Sequence, residues 1–304
     1  MSKKIICIGE CGLDIVFGAD GMPLGAMPGG RLANAAALLA RDGLPVVVAG
    51  EAAADAVGDT VVAFLADAGA DTHCVDRFTE GRTPVTIFMP AADGHMTATR
   101  YEAYAEECFD IVWPRIDEGD IVLFGGYYAI DRRMRARMLP LLQHAEERKA
   151  VLVYLPGFMP QQEPRITRVM PAILENLELA HMACTRSADL QMIFGGKDAE
   201  ACYKNHIGFY CSTLLNVDAA ARTLTLYSRG GTDTLELPLS QCTSLIWNAG
   251  AAAGAVKALH EAEATPELTA AAPKMLRDSI LRQATATADT AVAALAADWQ
   301  RAHE

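Results

Sequence analysis

Met27-Pro28-Gly29-Gly30-Arg31-Leu32-Ala33-Asn34-Ala35-Ala36 is the stretch on which the reading of the chain turns. It follows a loop rich in Gly and Pro and opens an apolar, alanine-rich helix expected to run to about Arg41. Two glycines at a loop-to-helix junction let backbone approach a ligand closely, since no Cβ stands in the way. Asn34 falls in the first turn of that helix, where its amide can both donate and accept hydrogen bonds. The pairing suits a polyhydroxylated small molecule. Taken alone, it also describes a tight helix start with a surface Asn.

The flanking sequence narrows the choice. Upstream, Lys4-Ile5-Ile6-Cys7-Ile8-Gly9-Glu10 reads as a buried strand, with Asp14 just beyond it. Downstream, Leu44-Pro45-Val46-Val47-Val48-Ala49-Gly50 reads as a second buried strand, followed by Asp55-Ala56-Val57-Gly58-Asp59 and another helix. This ordered set resembles the amino-terminal half of the ribokinase/pfkB carbohydrate kinase family. There a Gly-Glu strand end, an acidic residue, a Gly-Gly-x-x-x-Asn helix start and a Gly-x-x-Gly-x-Asp-x-x-Gly segment recur in that order. Here the last reads Gly50-Glu51-Ala52-Ala53-Ala54-Asp55-Ala56-Val57-Gly58, with Ala53 where the second glycine is usual. The resemblance implies an α/β fold, a ribokinase-like three-layer α/β/α sandwich with a small β-sheet lid. It also implies Mg-ATP as phosphoryl donor and a sugar or nucleoside as acceptor.

Bulk composition agrees with one large domain over residues 1–304. The chain is 51% hydrophobic and 21% charged, which argues against disorder. A net charge of -12 makes nucleic acid and anionic membranes poor partners, since both need basic surface. No signal peptide is visible, because the first apolar run ends at Gly9-Glu10. No apolar stretch approaches the roughly 18 residues of a transmembrane helix. Eight scattered cysteines include no CxxC pair, so no metal site is expected, and reduced, mostly buried thiols in a cytoplasmic protein fit best.

Along the chain, expected strands at 4–9 and 44–50 alternate with helices at 32–41 and 56–69, the mark of a parallel sheet covered by helices. From about 74 to 107 the pattern turns β-like. Arg82–Met89 and Met96–Tyr101 are joined by Ala92-Asp93-Gly94-His95, a turn signal. In the resembled family a lid is inserted here; it covers the sugar and often forms a dimer contact, so a homodimer through the lid is implied. Alternation then resumes. A strand at 120–126, a helix at 131–149 and a strand at 150–155 lead to a helix at 163–176, a short strand near 178–183 and a helix from about Ala188. Strands are expected at 207–215, 222–228 and 233–237, and helices at 249–263, 267–283 and 284–302.

The second half departs from the resembled pattern at four places. The family's catalytic motif, Asp-Thr-x-Gly-Ala-Gly-Asp-x-Phe-x-x-Gly, opens a helix whose N–H groups and dipole stabilise charge on the transferred phosphoryl group. Its last Asp takes the proton of the attacking hydroxyl. The matching stretch runs from Thr243 to Gly254, and anchoring on Gly254 puts Ala249 at the position of the base. An alternative register puts Ala251 there. No Asp or Glu lies between Glu236 and Glu261. Asn248, Ala249 and Gly250 remain as a candidate anion hole, or as an ordinary helix start. An Asp-Pro-Asn-x-Arg stretch is replaced by Leu155-Pro156-Gly157-Phe158-Met159. The Asn-x-x-Glu motif that helps hold Mg²⁺ becomes Arg186-Ser187-Ala188-Asp189, where Arg186 would compete for the charge of Asp189. The glycine pattern near the nucleotide is absent from Gly208–Leu214.

The sugar side, by contrast, keeps Asp14, Gly29, Gly30 and Asn34, with Arg100 on the second lid strand able to close over a ligand. Three functions follow as expectations. The first is the ATP-dependent sugar or nucleoside kinase that the resemblance implies, with impaired or lost catalysis; a substitute base among His206, His260 and Glu261 stays open. The second is an inactive relative that binds a small polyol as sensor or regulatory partner. The third is a structural dimer without ligand.

Overall fold

Ile5–Ile8 (β1) is buried on both faces, as a central parallel strand must be. Ile5 and Cys7 enter one hydrophobic core, Ile6 and Ile8 the other. The computed structural model describes residues 3–91, 96–106, 109–160, 162–196, 198–237 and 244–301. After β1 come β2 (Gly12–Phe17), β3 (Pro23–Gly29), α1 (Arg31–Arg41), β4 (Val46–Glu51), α2 (Ala56–Asp67) and β5 (Asp71–Asp76). Next are β6 (Arg82–Pro90), β7 (Met96–Ala103), β8 (Ile121–Gly125), α3 (Arg132–Glu147), β9 (Val151–Leu155) and α4 (Ile166–Leu179). The chain closes with β10 (Met182–Arg186), α5 (Ser187–Phe194), α6 (Ala199–Asn205), β11 (Thr213–Asp218), β12 (Thr223–Ser228), β13 (Gly231–Glu236), α7 (Ser244–Glu261), α8 (Pro266–Ala271) and α9 (Lys274–Arg301).

The larger sheet has nine strands in the order β13-β12-β11-β10-β9-β8-β1-β4-β5. From β11 to β5 every pairing is parallel, and β12 and β13 add an antiparallel edge. Helices α1, α2, α7 and α9 feed one core, and α3 to α6 the other. The result is the three-layer sandwich expected from the alternating pattern. The chain steps from β1 outward to β4 and then returns to β8 on the other side. Topology therefore reverses at β1, and ligands of open α/β sheets bind at such a reversal, beyond the carboxyl ends of the strands. No helix among the described residues is long and apolar enough to cross a membrane.

A second sheet, ordered β3-β2-β6-β7, stands beside this crevice. The stretch before Gly29 is thus two strands rather than the expected loop. Its glycines and prolines mislead because β3 is an edge strand, where a missing N–H costs no ladder bond. The turn expected at 92–95 lies outside the described residues.

Other elements shift for local reasons. Residues 207–209 form a single 3₁₀ turn, and the strand begins only at Thr213. The helix expected at 163–176 and the strand near 178–183 each lie about three residues further on. The two terminal helices are one, α9, because nothing at 283–284 interrupts it; the break falls at Pro273. Helices α7 and α9 meet closely at Gly250 and Gly254. A Cβ at Gly250 would sit 2.7 Å from Ala288 Cα, and one at Gly254 2.3 Å from the Gln283 carbonyl oxygen.

Candidate functional site

The site is built where β1, β9 and β10 end and where α1 begins. On the small sheet, Asp14 on β2 stands opposite Thr86 on β6, which stands opposite Arg100 on β7. Residues in register share a face, so carboxylate, hydroxyl and guanidinium form one row across three strands. Arg100 donates to Thr86 Oγ1 at 3.3 Å, to the Tyr104 hydroxyl at 3.0 Å and to Glu102 at 2.6 Å. It also pairs with Glu10 at 3.2 Å. Glu10, the residue just past β1, accepts in addition from Gln162 Nε2 at 3.0 Å and from the Tyr127 N–H at 3.2 Å. Burial pushes the Asp14 carboxyl up to about 6, against the pull of Arg100 and the Thr86 hydroxyl.

The two glycines of the opening stretch serve this row. A Cβ on Gly29 would lie 2.2 Å from Asp14 Oδ1. Gly30, the residue before α1, has φ +100, and a Cβ there would meet the Glu10 carbonyl oxygen at 2.4 Å. The close approach read from the sequence is thus to the chain's own Asp14 and Glu10. Asn34, a turn into α1, is buried, and its Oδ1 has no hydrogen-bond partner among the described residues. The structure therefore brings Asp14, Gly29, Gly30 and Arg100 together around Glu10, with Asn34 on the adjoining helix turn.

The other side of the crevice is occupied by Arg31, the first residue of α1. Its Nη1 donates to Asp189 Oδ2 and to Asn248 Oδ1, both at 2.8 Å, and its Nη2 to the Pro156 carbonyl at 2.9 Å. Arg186 grips the same carboxylate, with Nε 2.9 Å from Oδ2 and Nη2 2.5 Å from Oδ1. Burial alone would raise the Asp189 carboxyl; the Arg31 and Arg186 guanidiniums overturn this and hold it below its ordinary range. Burial lowers Arg31 from its ordinary value, against the pull of Asp189. The Arg31 side chain passes Gly157, where a Cβ would lie 1.4 Å from Nη2. Gly157 also has φ +145, a conformation other residues rarely take.

Asn248, Ala249 and Gly250 do not open a helix. Helix α7 begins at Ser244, so residues 248–250 lie past the four N–H groups that a helix start leaves free. The Asn248 amide is spent on Arg31 and, through Nδ2 at 3.2 Å, on the Thr185 carbonyl. Ala249 is fully buried. Of the candidate substitute bases, His260 and Glu261 are remote from Asn248. His206 stacks on Phe194 with ring centroids 4.9 Å apart. His260 and Glu261 lie at the far end of α7, about 18 Å along the axis from Asn248.

A magnesium ion does not fit at Asp189. Both carboxylate oxygens already accept from guanidinium N–H groups, and Mg²⁺ needs carboxylate and water oxygens in an octahedron. No group of three His, Cys, Asp or Glu among the described residues is placed to hold a metal.

Sequence reasoning passed over Glu10 and Arg31 as site residues, together with Thr86, Gln162 and Gly157. For Arg31 a trace existed. A cation at the first position of a helix opposes the helix dipole and calls for a buried anionic partner. Gln162 and Thr86 gave none, since their roles depend on pairing between distant segments.

The fold continues through known structures. The chain superposes on aminoimidazole riboside kinase from Salmonella enterica, solved with aminoimidazole riboside and an ATP analogue, with a TM-score of 0.78 at 18% identity, covering 95% of this chain and 93% of that one. Fructokinase from Xylella fastidiosa, solved with ATP, gives 0.77 at 20% identity over 97% and 92%. Fructokinase from Vibrio cholerae O395 gives 0.78 at 14% identity over 96% and 99%. At such identities the likeness establishes the ribokinase-like fold. No curated protein matches the sequence. The family model of the pfkB carbohydrate kinases matches residues 2–208, which hold the whole sugar-side row together with Arg31 and Asp189. On that match, spanning more than half its length, the chain belongs to the pfkB family of carbohydrate kinases.

Proposed function

We propose that this protein binds a sugar or nucleoside between the small sheet and the carboxyl end of β1, and that it transfers phosphoryl groups poorly or not at all. The small sheet then acts as a lid over the ligand within a single ribokinase-like domain. One contrast carries the reading. The buried Asn34 Oδ1 has no partner among the described residues and can still accept from a hydroxyl, while Asp189 and Asn248 have their capacity spent inside the protein. At the base position stands Ala249, and an alanine accepts no proton. Losing a general base costs about a hundred- to ten-thousand-fold in rate.

Asp14, Gly29, Gly30, Asn34 and Arg100 would hold the polyol, with Glu10 added to them. The kinase reading stays second, favoured by family membership; ATP would be its phosphoryl donor. A homodimer through the outer face of the small sheet is supported by Met89 and Tyr101, which are exposed there. Among the described residues, six cysteines are buried and unpaired, which supports a reducing, cytoplasmic setting.

Thermal shift with neutral sugars and nucleosides tests the reading. A ligand at a hundred times its dissociation constant adds about 2.7 kcal/mol of stability. The expected result is stabilisation by at least one polyol, lost in Asp14→Ala. A shift that survives Asp14→Ala would move the ligand elsewhere, and no shift with any polyol would leave the structural-dimer reading.

A further inference from the structure

We propose that Cys74 is a nucleophile paired with its own base, and that it forms a mixed disulfide with small-molecule disulfides of the glutathione or cystine type. The inference is independent of the polyol-binding reading.

Asp71, His73 and Cys74 lie on β5, the edge strand of the large sheet. Alternation along a strand would turn His73 and Cys74 to opposite faces. The pairing with β4 breaks that alternation. Val47 stands opposite Asp71 and Ala49 opposite Cys74, so two steps on β4 match three on β5. A bulge of this kind re-aims a side chain, and here it lets the His73 ring reach Cys74. Asp71 Oδ1 accepts from His73 Nδ1 at 2.6 Å, and His73 Nε2 lies 3.0 Å from Cys74 Sγ. The backbone N–H of His73 also donates to Asp71 Oδ1, at 3.1 Å.

Each group suits its place. A carboxylate only accepts, so Nδ1 carries the imidazole hydrogen and Nε2 is left as an acceptor toward the thiol. Burial would raise the Asp71 carboxyl; the hydrogen bonds from His73 overturn this and hold it below its ordinary range. Burial and the charge of Asp71 push the Cys74 thiol up, so it keeps its proton until a base removes it during attack. His73 Nε2 is within the reach that general-base catalysis requires. Nucleophile, base and orienting carboxylate in one hydrogen-bonded line are the mark of an activated nucleophile. The thiols of Cys11, Cys202 and Cys211 are directed instead at backbone carbonyls.

Cys74 has no exposed surface, but its cover is thin. Its proton has a second acceptor in the Val112 carbonyl at 3.3 Å. Val112 is 85% exposed and the His73 side chain 60%. Val112 belongs to residues 109–120, which hold no helix or strand. Segments of that kind open at a small fraction of the global stability. Because Asp71, His73 and Cys74 share one strand, their line survives when the cover lifts.

The exchange balances without a further oxidant. As Sγ attacks one sulfur of the reagent, its proton passes to His73 Nε2. The new S–S bond joins Cys74 to half of the reagent. The old S–S bond breaks, and its electron pair leaves on the other half. That thiolate takes the proton from His73 and departs as a thiol. A thiol in excess reverses the exchange.

Peptide mass mapping of the folded protein incubated with oxidised glutathione provides the test. The expected result is a mixed disulfide at Cys74 that forms at least about tenfold faster than at Cys7, Cys11, Cys184 or Cys211 and is reversed by dithiothreitol. His73→Ala should slow it by at least about tenfold, with part of the rate restored by imidazole in solution. Asp71→Asn should slow it less, and Asp71→Glu should keep most of the native rate. Loosened folding cannot imitate these losses, because uncovering the thiol would speed its modification. Modification of all the cysteines together, at the rate of global unfolding, would overturn the inference. So would a Cys74 that reacts only in urea, or one whose rate is unchanged or raised by His73→Ala.

Discussion

The two walls of the crevice use the same chemical parts to opposite ends. On the small-sheet wall, a carboxylate row at Asp14 and Glu10 faces Arg100, and the Asp14 carboxyl is pushed up to about 6 by burial. On the wall made by α1, α5 and α7, Asp189 is held below its ordinary range by two guanidiniums. The first wall bears the cost of a buried, raised carboxyl; the second is an internal strut in which Arg31 and Arg186 grip Asp189. Unspent polar capacity, rather than the mere presence of charged residues, separates a binding wall from a structural one.

Breaking the strut should give the largest effect. Arg31→Ala leaves the buried Asn248 Oδ1 and the Pro156 carbonyl without their donor and removes one of the two guanidiniums that face Asp189. Removing one partner of a buried pair is strongly destabilising, here about 3 kcal/mol, because Arg186 still holds the carboxylate. Urea unfolding with an unchanged m-value would report it. Gly157→Ala comes next, at about 2 kcal/mol, since the new Cβ meets the guanidinium and the backbone resists the required φ. In an Arg31→Ala background part of that cost should vanish. A coupling of about 1 kcal/mol in the double-mutant cycle is expected, and strict additivity would dissolve the strut.

Much of the fold was legible because its elements are locally consistent. β1, β4, β8 and β9 are short apolar runs bounded by glycine or polar residues, and α1 follows its glycines directly. β2 and β3 were not legible. Their hydrogen bonds come from each other and from β6, some seventy residues away, and their glycines and prolines read as turn chemistry. In the site, Asp14, Gly29, Gly30 and Asn34 could be proposed because each sits in a recurring pattern, and Arg100 because it falls on the second expected lid strand. Arg31 could not. Its role depends on Gly157, Asp189 and Asn248, three residues that meet only after the sheet has closed. Asn248, Ala249 and Gly250 were misread as a helix opening because glycine and asparagine also mark helix starts; here Gly250 serves the packing of α7 on α9.

Two smaller effects sharpen the contrast through pH. Glu51, at the end of β4 behind the small-sheet wall, is buried, which pushes its carboxyl up to about 7 although the Phe109 N–H donates to it at 2.7 Å. A carboxyl raised in the folded state is stabilising below its unfolded value near 4.5, and that stability is lost as pH rises through about 7. Glu51→Gln should flatten the fall in stability between roughly pH 5 and 8 by about 1–2 kcal/mol. An unchanged slope in thermal melts would show that Glu51 does not titrate in this way.

Asp14→Asn should have the smallest effect on stability and the sign opposite to Arg31→Ala. Its raised carboxyl costs stability as pH rises from about 4 through 6, so the amide should gain up to about 1 kcal/mol at pH 7 while weakening polyol binding. A clear loss of stability at that pH would make Asp14 a strut as well and erase the difference between the walls.

Product formation by the unaltered protein tests the central claim most directly. With Mg-ATP and each polyol that stabilises the protein, phosphorylated product is followed by mass spectrometry over many hours at enzyme concentrations near that of the substrate. The account predicts a polyol shift that does not depend on Mg-ATP, and product at or near background. Multiple turnovers dependent on Mg²⁺, at a rate ordinary for a kinase, about 1–100 per second, would contradict it, and would mean that Asp189 is released from Arg31 and that a base is supplied from a residue other than the one at position 249.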